Sequence, residues 1–153
     1  MSLEEFNIQP ALLTDAGTIA QFNIDLAFES ERLKIDYNTV VEGVKTVINN
    51  PEHGFYLVAR YQNTVIATLL VTYEWSDWRN GRMWWIQSVF VDNDWRDLGV
   101  FSLLYEHITL MACQTKDVRG FRLYVDDSNV NAKKVYKKRG MHETNYRLYE
   151  SII

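Results

Sequence analysis

The chain has 153 residues, of which 47% are hydrophobic and 14% aromatic. This size and composition predict a single domain over residues 1–153 and exclude a disordered or fibrous chain. No stretch approaches the ~20 apolar residues of a membrane span, and the first residues do not resemble a signal peptide, so we expect a cytoplasmic protein without a membrane partner. The single cysteine, Cys113, excludes an internal disulfide, and its apolar neighbours predict a buried thiol.

The net charge of −4 is unevenly distributed along the chain. Residues 1–54 carry nine acidic and three basic residues, a net charge of −6, whereas residues 55–153 carry eleven acidic and thirteen basic residues, a net charge of +2. The acidic part would attract a cationic partner and the basic cluster at 133–139 would attract phosphate, although each is also typical of a solvated helix face. The negative net charge disfavours a nucleic-acid partner.

The predicted order of elements begins with a short strand near 6–9 and two helices. Thr14 can cap the first helix, and the second stops before Pro51 because a residue that precedes proline avoids the helical conformation. Two β-rich runs separated by Gln62 and Asn63 then predict a hairpin. The pair Asn80-Gly81, a strong hairpin signal, leads into a third strand at 83–91.

The second half alternates helices and strands. A helix from Gly99, a strand ending at Val125, a helix over 129–140 and two last strands near 141–143 and 146–151 complete the order. The helical crossover implies that the strands ending at Val91 and Val125 are parallel. The whole pattern predicts an α/β fold with about four helices and a mixed, mostly antiparallel sheet of about six to seven strands.

Arg96 and Gly99 lie between a strand and a helix. A glycine there either closes a tight turn or lets a ligand approach the free N–H groups of the helix, which attract anions. The sequence contains neither a P-loop nor a dinucleotide-binding glycine motif. Its histidines have no metal-ligand spacing, so we predict no metal.

A second motif lies about thirty residues further along the chain. Asn129, Ala132 and Tyr136 are spaced to share one helix face, and Gly140 follows four residues after the tyrosine. In the first motif, Arg96 and Gly99 are followed by Phe101. Both motifs and the order of elements resemble the GNAT superfamily of acetyl-CoA-dependent N-acetyltransferases.

The resemblance implies that the two central parallel strands splay apart and form an acyl-CoA slot. Pantetheine would bind backbone groups there and pyrophosphate would bind the loop that follows. The cofactor-binding residues that it implies are Val89, Val91, Arg96, Asp97, Leu98, Gly99, Val100, Phe101, Ser102 and Asn129. Because a bulky ring at Phe101 would block the phosphates, that ring must turn into the core, and Asp97 must point to solvent.

Tyr136 matches the superfamily's general acid, which protonates the departing CoA thiolate. A phenol with a pKa near 10 keeps its proton at neutral pH. Taken alone, Tyr136 is more typical of a buried aromatic that packs the helix against the sheet, and the motif around it favours the acid role. The general base stays open because Gln87 and Ser88 do not titrate in the useful range. Water-mediated transfer to Glu74, Asp77 or Asp92 is one route, and an acceptor that arrives already neutral is another.

The resulting hypothesis is an enzyme that transfers acetyl from acetyl-CoA to a primary amine by direct attack in a ternary complex. The resemblance and the acidic N-terminal part favour a small cationic amine or a lysine-like side chain of a peptide as acceptor. The alternative is a non-catalytic acyl-CoA sensor of the same fold. The tryptophans of residues 75–85 line an acceptor pocket or a homodimer interface, or pack within the hairpin.

Overall fold

Five strands form one mixed sheet in the computed structural model, which describes residues 5–153. Along the sheet and along the chain they are β1 (Phe6–Pro10), β2 (Gly54–Tyr61), β3 (Thr64–Ser76), β4 (Gly81–Val91) and β5 (Val118–Leu123). β1 to β4 pair antiparallel, and β5 pairs parallel with β4. The helices are α1 (Ala16–Glu31), α2 (Tyr37–Asn49), α3 (Val100–Gln114) and α4 (Val130–Lys138). The α/β class and the parallel pairing of the strand that ends at Val91 with the strand that follows α3 are therefore confirmed.

The core lies on both faces of the sheet. On one face α1 and α2 pack through residues such as Ile19, Phe22 and Val44, and on the other α3 packs through Leu104 and Ile108. The middle of β3 is buried almost without interruption because both of its faces are covered. Each fully buried leucine or isoleucine stabilises the fold by about 1.5–3 kcal/mol relative to an exposed one.

The start of α1 differs from the prediction. Thr14 does not cap the helix; it lies in a short 3-10 turn over Leu13–Asp15, and α1 begins at Ala16. The carboxylate of Asp15 is buried, accepts from the backbone N–H of Leu12 at 2.8 Å and pairs with Arg60 at 2.6 Å. A buried charge needs such partners, so tertiary contacts rather than the local capping signal fix this end of the helix.

Two predictions about the second half are wrong. Residues 141–153 form no strand, so the sheet has five strands rather than six to seven. Strand propensity needs a neighbouring strand and a packed face, and most side chains of this segment are exposed. Cys113 is exposed because it lies near the end of α3, on the side turned away from the sheet.

β4 diverges from β5 at the point where the resemblance places a slot. Their pairing ends at Ile86 and Leu123, so residues 87–91 have no partner on that side. Ser88 adopts a left-handed φ of 48°, and the register against β3 shifts at the same place. A bulge of this kind bends a strand and re-aims its side chains, and here it separates the two strands. None of the helices described in residues 5–153 has the length and apolarity that a bilayer crossing requires.

Candidate active site

A cavity of about 430 Å³ occupies the gap between β4 and the helices that follow. The end of β4, the start of α3, α4 and the second half of α1 form its walls. The predicted cofactor-binding residues that line it are Val89, Val91, Arg96, Asp97, Gly99, Val100, Phe101, Ser102 and Asn129. Leu98 does not line it and is exposed instead. We call this cavity the slot.

The N-terminus of α3 faces the slot with free backbone donors. Gly99 caps the helix with a φ of 79°, a left-handed conformation that a residue with a Cβ adopts only at a cost. The first helical hydrogen bond runs from the N–H of Leu103 to the carbonyl of Gly99 at 3.2 Å, so the N–H groups of residues 100–102 have no acceptor within the helix. Free donors and the helix dipole make this a site for an anion.

Phe101 and Asp97 lie at the start of α3, where the sequence predicts a buried ring and an exposed carboxylate. The Phe101 ring is partly buried against the core, with its centroid 6.0 Å from that of Tyr105 and 6.0 Å from that of Tyr136. Asp97 is exposed and has a φ of 62°. The bulky ring therefore packs among aromatic neighbours, and the carboxylate is accessible to solvent.

Arg96 lies at the mouth of the slot and already has an anionic partner. Its Nη2 is 2.9 Å from a carboxylate oxygen of Glu29 on α1, and its Nε donates to the carbonyl of Val91 at 2.9 Å. The guanidinium also stacks on the ring of Phe90, 5.2 Å from its centroid. Both charged side chains are about 40% exposed (40% and 41%), so this ion pair contributes little to stability.

Asn129 caps α4 and also lines the slot. Its side-chain oxygen accepts from the N–H of Ala132 at 3.0 Å and caps α4. The cap holds the first turn of α4 in place, and Ala132 and Tyr136 of this helix face the slot. The basic cluster of α4 is partly neutralised, because Lys133 pairs with Asp127 and Arg139 pairs with Glu106.

Tyr136 lies on the wall between the slot and a second cavity. Its hydroxyl makes no hydrogen bond to any residue that the structure describes. Burial raises the pKa of this phenol above its ordinary value. The side chain is therefore a protonated donor at neutral pH.

The second cavity has a volume of about 730 Å³ and lies between β5, the β3–β4 hairpin, α4 and residues 141–148. We call it the outer cavity. Several aromatic side chains line it, namely Trp75, Trp78, Trp85, Phe121, Tyr124 and Tyr146. The rings of Trp85 and Tyr124 lie against each other with centroids 4.5 Å apart, whereas Trp84 is part of the core. Sequence reasoning missed Tyr124 because no motif marks it.

The carboxylates named as candidate bases lie in different places. Glu74 lines the outer cavity, accepts from the indole N–H of Trp85 at 2.6 Å and pairs with Arg122 at 2.8 Å. The hydrogen bond from Trp85 is the largest cause that lowers the pKa of Glu74, and Arg122 lowers it further. Asp77 also lines this cavity, whereas Asp92 lines neither cavity and accepts from the N–H of Asp94.

Gln87 occupies the position on β4 between these groups and the slot. Its amide donates to the hydroxyl of Thr72 at 2.5 Å, and it carries no titrating group. Within residues 5–153 no three histidine, cysteine or acidic side chains are placed to hold a metal ion. The slot and the outer cavity therefore offer a proton donor, an anion site and stabilised carboxylates.

Comparison with known proteins identifies the family that this fold and site define. The sequence model described as the "Acetyltransferase (GNAT) family" matches residues 21–141. The chain therefore belongs to the GNAT acetyltransferase family, whose members use acetyl-CoA. No curated protein matches the chain.

Solved structures share the whole fold. A possible acetyltransferase from Clostridium difficile 630 is 39% identical, with a TM-score of 0.90 over 97% of each chain. A predicted acetyltransferase from Clostridium acetobutylicum, solved with acetyl-CoA, is 16% identical, with a TM-score of 0.78 over 95% of this chain and 96% of that one. An aminoglycoside acetyltransferase from an uncultured soil metagenomic sample, in complex with sisomicin, is 15% identical, with a TM-score of 0.78 over 98% of each chain.

Proposed function

We propose that the protein is an N-acetyltransferase that transfers the acetyl group of acetyl-CoA to a primary amine by direct attack in a ternary complex. The observation that carries this proposal is the position of Tyr136, which lines both the slot and the outer cavity. One proton donor is thus accessible from both spaces. A cofactor in the slot and an acceptor in the outer cavity would meet at this side chain.

The slot offers hydrogen-bond donors for the pyrophosphate of CoA and an unpaired length of strand for its pantetheine arm. The free N–H groups of residues 100–102 and the guanidinium of Arg96 would hold the pyrophosphate. The part of β4 that has lost its β5 neighbour, around Val89, would bind the pantetheine arm. Phe101 leaves the phosphate side of the loop open because its ring packs against Tyr105 and Tyr136.

Acetyl-CoA supplies an activated thioester whose leaving group is a thiolate. The hydroxyl of Tyr136 would donate its proton to that sulfur as the bond to the acetyl carbon breaks. The proton that the newly bonded nitrogen loses on forming the amide would restore the phenol. A buried phenol with a raised pKa stays protonated until this moment, and it has no competing acceptor among the residues described. General acids placed in this way typically accelerate a step by about 10² to 10⁴.

The acceptor would attack as a neutral amine. Glu74 is a poor base because Trp85 and Arg122 stabilise its ionised form. Gln87 is held by Thr72 and cannot accept a proton at useful pH. The amine would therefore lose its proton to water before the attack, so the rate should rise with pH through the pKa of the amine.

The outer cavity favours an acceptor that carries a further positive charge. Aromatic faces such as those of Trp85 and Tyr124 attract cations, and they carry this preference. The charges of the lining do not add to it, because both acidic and basic side chains line the cavity and Arg122 already pairs with Glu74. The acidic residues of the first two helices would attract a cation to the side of the slot, where Glu29 lies at its mouth. A small cationic amine or a lysine-like side chain fits these features.

The test combines ligand binding with thiol release. Acetyl-CoA at 100 times its dissociation constant should stabilise the fold by about 2.7 kcal/mol, and adenosine should stabilise it far less. Free thiol should then appear from acetyl-CoA only when cationic amines are added. Equal stabilisation by adenosine would contradict the slot, and turnover restricted to neutral or anionic amines would contradict the acceptor class.

The alternative is an acyl-CoA sensor that has lost turnover. It is favoured by one observation, namely that the carboxylate of Glu74 is already held by Arg122 and Trp85. A sensor would be stabilised by acetyl-CoA and would release no thiol with any amine in a broad panel. The same two measurements therefore separate the two functions.

A further inference from the structure

The tip of the β3–β4 hairpin carries two large aromatic side chains that the fold does not bury. Trp78 is 85% exposed and Trp75 is 59% exposed. Both line the outer cavity. Tryptophan is among the residues most enriched at the centres of binding interfaces, and exposed apolar side chains that lie together mark such surfaces. The hairpin tip is therefore a candidate docking surface.

The tip is held rigidly against the turn between α3 and β5. The backbone N–H of Arg82 donates to the carbonyl of Asp117 at 2.7 Å, and the two side chains form an ion pair at 2.8 Å. Arg119 donates from its Nε to the carbonyl of Arg79 at 3.2 Å. Gly81 permits this close approach, since a Cβ there would lie 2.5 Å from the carbonyl oxygen of Asp117. A partner that binds a preformed turn has little conformational entropy to overcome.

The same contact gathers positive charge beside the tryptophans. Arg79, Lys116 and Arg119 are exposed and form no salt bridge with any residue that the structure describes. Asp77 is the exposed acidic side chain next to them, because Asp117 is already paired. Three positive charges and one negative charge give this patch a net charge of +2, whereas the whole chain has a net charge of −4. We call the two tryptophans and these three basic residues the tip surface.

The tip surface lies far from the slot along β4. Gly81 begins this strand and Val89 lines the slot, so at about 3.3 Å per residue the two are roughly 25 Å apart. The outer cavity connects the two regions, since both Trp78 at the hairpin and Tyr136 beside the slot line it. A small amine cannot contact both ends of this path, whereas about seven residues of extended polypeptide can.

Given the acetyl transfer proposed above, on which this inference rests, we propose that the acceptor is a lysine of a polypeptide and that the tip surface binds an acidic segment of the same polypeptide. The lysine amine would lie beside Tyr136, and the acidic residues would follow or precede it by about five to eight positions. Their negative charge complements the tip surface, and the exposed ring of Trp78 offers packing to their neighbours.

Binding of defined peptides tests the tip surface without any acetyl transfer. Each peptide has a blocked N-terminus, a fluorophore and one lysine in a glycine–serine chain, and its affinity is measured by fluorescence anisotropy with CoA present. A pair of glutamates placed about seven residues from the lysine on each side should bind about tenfold more tightly than arginines at the same positions. Glutamates directly beside the lysine should lose this preference, because they then lie beyond the ~10 Å screening length from the tip surface.

Three results would contradict the docking surface. The first is equal affinity for the glutamate and arginine peptides, and the second is a preference for glutamate that does not depend on its spacing from the lysine. The third is tighter binding of single-stranded oligothymidylate than of the best peptide, since the surface would then recognise a nucleic acid.

Two substitutions with matched controls locate the binding. Arg79→Glu should abolish the tenfold preference, whereas Lys134→Glu makes the same charge change at an exposed position of α4 that lines neither cavity and should preserve it. Trp78→Ala should weaken binding of the best peptide about tenfold. Tyr149→Ala, at a residue that is 91% exposed and outside both cavities, should not weaken it. Equal effects of a variant and its control, in proteins with the unfolding midpoint of the unmodified chain, would overturn the proposal.

Activity measurements separate this surface from the proposed reaction. A chain that shows these peptide affinities but releases no thiol from acetyl-CoA with any amine has the tip surface and lacks the activity. A chain that acetylates small amines but binds all the peptides alike has the activity and lacks the tip surface. Where both hold, kcat/KM for the glutamate peptide should exceed that for the arginine peptide about tenfold.

Discussion

Replacing Tyr136 with phenylalanine isolates the proton donor that the proposed reaction depends on. The substitution keeps the ring that packs edge-on against Phe101, with centroids 6.0 Å apart, and removes only the hydroxyl. That hydroxyl has no hydrogen-bond partner among residues 5–153, so no fold contact is lost with it. The free energy of unfolding and the affinity for CoA should therefore change by less than about 0.5 kcal/mol.

The chemical step should respond much more strongly. A general acid contributes about 10² to 10⁴ in rate, and at 1.36 kcal/mol per tenfold this equals roughly 3 to 5 kcal/mol of activation free energy. We expect the phenylalanine variant to lose at least about 10² in kcat, because CoA must then leave as an unprotonated thiolate. The large effect on rate and the small effect on stability together identify a catalytic rather than a packing role.

Tyr105→Phe is the matched control. Tyr105 is also buried, its ring lies the same 6.0 Å from Phe101, and burial likewise raises the pKa of its phenol. It lines neither cavity, so loss of its hydroxyl should leave the rate unchanged. Single-turnover acetyl transfer measures the chemical step without interference from slow product release. Wild-type single-turnover rates for Tyr136→Phe at every pH would refute the reasoning.

The raised pKa of Tyr136 also fixes the sign of two pH effects. The phenol stays protonated above its ordinary pKa of about 10, so the acid-catalysed step should persist past pH 10. In the unfolded chain the same phenol ionises near pH 10 and favours unfolding from there upward. The stability contribution is therefore complete below about pH 10 and is lost as the pH rises through the folded-state pKa, a loss that Tyr136→Phe should reduce in alkaline unfolding curves.

Three further outcomes are expected. Glu29→Gln should raise CoA affinity about two- to fivefold at low salt, because an exposed ion pair worth less than about 1 kcal/mol no longer competes for Arg96. Calorimetry with Glu31→Gln as the control measures this effect, and equal CoA affinities of the two variants would contradict it. Gly99→Ala and Gly140→Ala both place a Cβ at a φ near +80° (79° and 80°), so each should lower the unfolding free energy by about 1–2 kcal/mol. Only Gly99→Ala should also weaken CoA binding. Equal CoA affinities of these two variants would make Gly99 a plain turn residue. The single-turnover rate should rise with pH, and the midpoint of the rise should follow the pKa of each acceptor amine. If all amines instead shared one midpoint at acidic pH, and Glu74→Gln abolished it, that carboxylate would be the base.

Local sequence signals were sufficient wherever the backbone itself decides the outcome. The hairpin at Asn80-Gly81 formed as predicted, because Asn80 accepts the left-handed conformation that the turn needs, with a φ of 45°. Gly99 at the start of α3 also adopts a left-handed conformation, and the side chain of Asn129 caps the start of α4. Gly99 and Asn129 belong to the two motifs on either side of β5, and the resemblance of these motifs was sufficient to predict the family.

The sequence by itself therefore determined the α/β class, the parallel pairing of β4 with β5 and the helix starts at Gly99 and Asn129, since these follow from side-chain periodicity and turn chemistry within short stretches. Only the tertiary structure decided which charges meet, as in the pairing of Arg96 with Glu29 across 67 residues. It also decided that residues 141–153 form no strand, because a strand exists only where another strand provides its hydrogen bonds.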